Sequence, residues 1–141
     1  TTDRDILDTC QMPVNLLDPN YRSFIEQVIP TLQERNIALL AMKSLADGRF
    51  FAKKVKGGPW WQTDTPVIPD RVSVREALHF VWSLPVSVLI SGAENADFMQ
   101  EKIEIAREFV TLTQQDRQVL IDKVADLAED GEIEFYKHDI H

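Results

Sequence analysis

IALLAMKSLADGRFF, residues 37–51, is the stretch on which the reading of this chain turns. Residues 37–42 are apolar without a polar break, the pattern of a strand buried on both faces, and Lys43, Ser44 and a loop containing Gly48 follow at once. The lysine at the strand end raises a chemical question. In doubly wound sheets and in (β/α)8 barrels, ligands bind beyond the carboxyl ends of the strands.

Upstream, residues 7–17 (LDTCQMPVNLL) read as a short strand that breaks at Pro13, with a turn at Asp18, Pro19 and Asn20. A helix is expected from Ser23, because Phe24, Val28 and Leu32 recur at i, i+4 and i+8, with a kink or early weakening at Pro30. Downstream, the stretch from Lys43 to Arg71 is a loop rich in Gly and Pro that carries Trp60 and Trp61. It is far longer than the roughly 12–15 residues beyond which connections are usually functional. SVRE, residues 73–76, is a capping box that opens a helix, with Val74, Ala77, Leu78, Val81 and Trp82 as its buried stripe and Pro85 as its stop.

Residues 86–90 (VSVLI) give a third strand, ending at Ser91 and Gly92. Asn95 should cap the next helix, with Met99, Ile103 and Ala106 inward. A last helix should open at Thr113, its cap completed by Asp116, turn Leu120, Val124 and Leu127 inward, and end at Gly131. The order strand, helix, strand, helix, strand, helix, helix implies parallel strands joined by right-handed crossovers. Three such apolar strands leave two edges open, so the fold class is α/β, part of a larger sheet: a doubly wound one or the last half of a (β/α)8 barrel, which typically takes about 250 residues.

With 141 residues, 44% hydrophobic and 27% charged, the chain has the composition of one soluble globular domain. No apolar run approaches the roughly 20 residues of a membrane helix, and TTDRDILDTC is unlike a signal peptide, so no membrane association is expected. A formal charge of -8 argues against nucleic acid as a partner, although Arg49, Lys53, Lys54 and Lys56 form a local basic patch. The lone Cys10 and three scattered His have no zinc spacing, and a reducing, cytoplasmic setting is expected.

The residues after each strand are Gln11 to Asn15, Met42 to Gly48 and Ser91 to Asn95. Gly92 would let backbone approach backbone closely, Lys43 supplies a full positive charge, and free amides at the following helix would complement an anion. A phosphate-bearing ligand is the economical reading.

QMPVNLLDP, IALLAMKSLADG, ALHFVWSLPVSVLISG and the terminal DGEIEFYKHD together resemble the C-terminal half of the aldo/keto reductases, NAD(P)H-dependent (β/α)8 barrel oxidoreductases. The likeness runs through essentially the whole chain and makes its strands the sixth, seventh and eighth of the barrel. It implies that Gln11 hydrogen-bonds the nicotinamide carboxamide. Met42 takes the place of a ring-stacking tyrosine and gives a softer thioether contact. Lys43, Ser44 and Leu45 would pass the pyrophosphate, with Lys43 neutralising a cofactor phosphate, and Gly48 would help its loop fold over the cofactor.

After the eighth strand the sequence departs from the family. Gly92 and Phe98 stand where NADPH-preferring members often carry a lysine and an arginine for the 2'-phosphate. Glu101 matches an acidic residue that contacts adenine, and Lys102 replaces an asparagine. With Lys102 restoring positive charge, the resemblance favours NADP(H) over NAD(H), together with a small carbonyl substrate. The family's Asp, Tyr, Lys and His tetrad comes from the first four strands, so none of the residues here is assigned a catalytic role, and the partner implied is the N-terminal half of the same barrel. Other readings are a non-catalytic nucleotide-binding or regulatory barrel and a small flavodoxin-like module that folds alone.

Each residue also has a plainer reading. Lys43 alone would be a solvated strand-end lysine, and Met42 a core side chain. Trp60 and Trp61 either line the substrate pocket or anchor the long loop. His79 reads as a half-exposed structural residue, and Cys10 as a small buried side chain.

Overall fold

The three expected strands form one parallel sheet. In the computed structural model, which describes residues 7–52 and 61–138, β1 (Thr9–Pro13), β2 (Ala38–Met42) and β3 (Val88–Leu89) lie in the order β1-β2-β3. The third strand is shorter than its apolar run suggested. Pro85 has no amide to give, and the Val86 amide turns back to the Leu84 carbonyl at 2.7 Å, so only the Ser87 and Ile90 amides extend the ladder, to the carbonyls of Leu39 and Ala41.

Along β2, Leu39 and Ala41 are buried while Ala38, Leu40 and Met42 are only half-buried. The strand is therefore not buried on both faces, as its unbroken apolar run implied. Register explains the alternation: Gln11, Leu40 and Val88 stand side by side on one face, which stays open, with Val88 52% exposed. The opposite face meets the helices, with the helix at Ile29–Glu34 packed on β2 and the one at Val74–Trp82 packed against those at Ala96–Arg107 and Gln114–Asp122. Val14, Leu16, Leu17, Phe50, Val67, Phe80 and Val81 are almost fully enclosed there, and burying a side chain of this size stabilises by about 1.5–3 kcal/mol.

The first helix is divided in two. Val28 closes α1 (Phe24–Gln27) and opens α2 (Ile29–Glu34), and Pro30 sits in the first turn of α2, where its missing amide leaves no bond unmade. The proline thus starts a helix. Ser23 caps α1, accepting from the Glu26 amide at 3.0 Å.

Helix α3 (Val74–Trp82) has both halves of its capping box: the Glu76 amide donates to the Ser73 hydroxyl at 3.1 Å and the Ser73 amide to the Glu76 carboxylate at 2.7 Å. His79 is buried, which corrects its half-exposed reading. It packs edge-on to Phe109 with ring centres 5.3 Å apart, and its Nε2 lies 3.1 Å from the Ile105 carbonyl.

Helix α4 (Ala96–Arg107) is capped by Asn95, whose side chain accepts from the Phe98 amide at 2.8 Å. Its inner face is Lys102 and Ile105, with Phe98 partly covered. Met99, Ile103 and Ala106, expected inward, are exposed. Two stripes at helical spacing run side by side here, and tertiary packing selects the one that contains the lysine.

Helix α5 (Gln114–Asp122) has the Thr113–Asp116 cap but stops well before Gly131. Arg71 explains the stop, donating to the Lys123 carbonyl at 3.1 Å and gripping the Asp126 carboxylate at 3.0 and 2.8 Å. Val124 and Leu127 still turn inward, Leu127 from a 3-10 turn, and Gly131 follows in the left-handed region at φ +68°.

Residues 131–138 are tied to the loop after β1 by a buried polar cluster. The Lys137 ammonium lies 2.8 Å from both the Asp18 and Glu134 carboxylates and donates to the Tyr21 carbonyl at 2.6 Å. Asn15 donates to Glu134 at 2.9 Å and to the Tyr136 hydroxyl at 2.7 Å, and Arg22 donates to the Lys137 carbonyl. Burial pushes the Glu134 carboxyl above its ordinary 4.5, although Lys137 and Asn15 pull the other way. Burial, with the Glu134 charge beside it, likewise raises the Tyr136 hydroxyl.

Candidate functional site

A cleft of about 490 Å3 opens at the carboxyl ends of β2 and β3, bounded by the loop after each strand and by the first turns of α4. Gln11, Met42, Lys43, Ser44, Leu45, Gly48, Gly92 and Lys102 all line it. Sequence reasoning grouped these residues, and the fold brings them to one place. Glu101 is exposed and stands outside the lining, one position round the helix from Lys102.

Gln11 and Met42 meet directly, the amide donating to the thioether sulfur at 3.3 Å, because the open face of the sheet carries both. Ser44 and Leu45 are buried and form the floor of the turn. Lys43, Ala46, Asp47 and Gly48 all have positive φ, at 52°, 49°, 61° and 83°. For non-glycine residues the left-handed region costs roughly 1–2 kcal/mol each, so the surrounding core, led by Phe50, must hold this loop in shape.

The Lys43 ammonium is 3.3 Å from the carboxylate of Asp47, four residues on, and lies over the rings of Phe135 and Tyr136 at 5.6 and 5.5 Å. Its side chain is 25% exposed and that of Asp47 46%, so the pair contributes about 0–1 kcal/mol. Sequence reasoning missed Asp47 as a partner, though its i, i+4 spacing from Lys43 was visible.

Lys102 is different. It is buried, donates to the Ser91 hydroxyl at 2.8 Å and to the Gly92 carbonyl, and lies 4.4 Å from the centre of the Phe98 ring. Among the described residues no carboxylate contacts it. Burial lowers its pKa from the ordinary 10.5, with the charges of Glu101 and Glu94 opposing at longer range. Among the described residues nothing lies within 4 Å of where a Cβ on Gly92 would stand, so packing among them does not require the glycine, and the space before it is open. Asp47, Phe51, Ile90, Ser91, Ala93, Glu94 and Phe98 complete the wall. Of these, Phe98 had a usable signal, standing four residues before Lys102 on a capped helix.

Trp61 does not line the cleft. The Arg49 guanidinium lies over its ring at 4.6 Å and over that of Phe135 at 4.2 Å, contacts that tie this part of the long loop to the C-terminal segment. Trp60, Lys53, Lys54 and Lys56 lie outside the described residues.

Among the described residues no helix is long and apolar enough to cross a membrane. No family model matches the sequence, and no curated protein does. The architecture does have relatives. The chain is similar to the aldo-keto reductase AKR11C1 from Bacillus halodurans in its apo form, with a TM-score of 0.58 and 18% identity over 82% of this chain and 43% of that one. The holo form of the same enzyme gives a TM-score of 0.56 and 18% identity over 82% and 42%. The chain thus spans less than half the length of these neighbours, and its open sheet face is the one that lines the interior of a barrel. Three parallel strands, helices on their outer face and a cleft at their carboxyl ends give this chain the fold of the C-terminal part of an aldo-keto reductase barrel.

Proposed function

We propose that this chain supplies the cofactor-binding strand ends of an NAD(P)H-dependent oxidoreductase of the aldo/keto reductase type, which reduces aldehydes or ketones to alcohols. The observation that carries the reading is Lys102: a buried ammonium in a cleft wall, held by a hydroxyl, a carbonyl and a ring face instead of a carboxylate. A cation desolvated without a counter-charge in contact is expensive unless an anion completes it. A phosphate of the cofactor is that anion here, and a second cation, Lys43, lines the same cleft. Asp47 pairs with Lys43 in the same lining, which leaves Lys102 as the cation without a carboxylate in contact, and that charge favours NADP(H) over NAD(H).

In this reading Gln11 hydrogen-bonds the nicotinamide carboxamide and Met42 offers a thioether to the ring. Lys43, Ser44 and Leu45 follow the pyrophosphate, and the loop through Gly48 encloses it. Gly92 leaves room at the wall that Lys102 charges. The cofactor supplies hydride when bound. The residues of this chain bind and orient it and keep its phosphates neutralised. Acid catalysis at the carbonyl oxygen belongs to residues of the N-terminal half of the barrel, whose strands would also cover the open face of Gln11, Leu40 and Val88. The lone Cys10 fits a reducing, cytoplasmic setting.

The test is carbonyl-dependent NADPH oxidation by the protein at its natural length, with simple aldehydes and ketones as substrates. Turnover supports the reductase. Saturable NADPH binding without turnover on any carbonyl would leave a nucleotide-binding barrel and remove the oxidoreductase.

A further inference from the structure

The C-terminal segment reaches the cleft from behind. Phe135 and Tyr136 do not line it, yet Lys43 does, and its ammonium rests on both rings. Phe135 also stacks on the guanidinium of Arg49, which in turn donates to the Glu132 carbonyl at 3.0 Å. Both cations of the β2 loop are therefore in contact with one short stretch of chain. That stretch is fixed elsewhere: the Lys137 and Glu134 side chains are each 1% exposed and bind each other, Asp18 and Asn15 in the loop after β1. The core holds the backbone of the loop, whereas the anchor of the strap is buried and ionic and does not depend on Lys43, so the strap offers the lysine side chain a surface already fixed in place.

We infer that residues 132–137 are a strap in which Phe135 and Tyr136 are positioning residues for the cofactor cleft, setting the Lys43 ammonium at its edge before ligand arrives. The inference rests on the cofactor reading above. A lysine held in place ahead of binding loses less freedom on meeting a phosphate, and this preorganisation is where the rings act.

Phe135→Leu is the informative variant, because the residue is 39% exposed and its loss leaves the buried cluster intact. In the protein at its natural length, NADPH should bind about two- to fivefold more weakly, the range of an exposed cation–π contact, with the thermal midpoint unchanged. Phe135→Tyr should restore wild-type affinity. In a Lys43→Met background Phe135→Leu should have no further effect; an equal loss in both backgrounds, or none in either, overturns the proposal. If the wild-type protein binds no NADPH, the cofactor reading fails, and the strap is judged by amide exchange alone. Phe135→Leu should speed exchange at Ala46, Gly48 and Phe50 while leaving α3 unchanged, and unaltered exchange in that loop refutes the strap.

Discussion

Lys102 and Lys137 are buried to nearly the same degree, at 7% and 5% exposure, and their surroundings have opposite chemistry. Lys137 is closed in by two carboxylates and two carbonyls, so its charge is consumed within the fold and binds the C-terminal segment to the loop after β1. Lys102 has a hydroxyl, a carbonyl and an aromatic face, and an open cleft beside it. The comparison teaches that burial of a charge does not by itself identify a site. The partner list does: a lysine satisfied by carboxylates belongs to stability, and one satisfied only by neutral groups has its charge available to a ligand.

The largest expected effect is on the stability side. Lys137→Met leaves Asp18 and Glu134 buried without their cation and should cost about 3–5 kcal/mol in denaturant unfolding. A loss below about 1 kcal/mol would erase the distinction between the two lysines. The mirror experiment is Lys102→Met. It should leave unfolding stability unchanged or slightly raised, because a buried cation without a contacting counter-charge is removed. It should weaken NADPH binding by about tenfold or more, the scale of a hydrogen bond to a charged group. A stability loss like that of Lys137→Met would place Lys102 in the structural class instead.

A smaller effect sharpens the stability side. Gly131 turns the chain toward the strap at φ +68°, and a Cβ there would run into the Tyr21 ring. Gly131→Ala should destabilise by roughly 1–2 kcal/mol from the backbone alone, and by more if the ring cannot shift. An unchanged midpoint would show that the turn relaxes without cost.

The smallest effect is a pH dependence. Burial lowers the Lys102 pKa below 10.5 in the free protein, and an anion in the cleft favours the ammonium. NADPH affinity should therefore be level below that depressed value and decline as pH rises through it. Without ligand the sign reverses: between the depressed value and 10.5 the unfolded chain carries more protons, so the Lys102 contribution to stability rises with pH. Lys102→Met should abolish both trends, and a wild-type affinity flat through alkaline pH would argue that Lys102 does not meet the cofactor.

The helix caps were legible in the sequence because they are local: Ser73 with Glu76, Asn95 with Phe98, and Thr113 with Asp116 are three residues apart. The strand-end residues of the cleft were legible for a related reason, since a parallel sheet delivers the residue after each strand to the same edge. Hydropathy misread α4, where it chose Met99 and Ile103 over a stripe containing Lys102. It could not have done otherwise, because a buried lysine has no apolar signature. The cluster of Asn15, Asp18, Glu134 and Lys137 was invisible for the same reason, with its two halves more than a hundred residues apart in the chain. Charged residues near a terminus ordinarily read as solvated.

The most direct measurement is an NADPH titration, followed by fluorescence, of the protein at its natural length beside its Lys102→Met variant. Saturable binding by the wild type that weakens about tenfold or more in the variant is the result expected of a cofactor cleft. No binding by the wild type, or equal affinity in the two proteins, would contradict it.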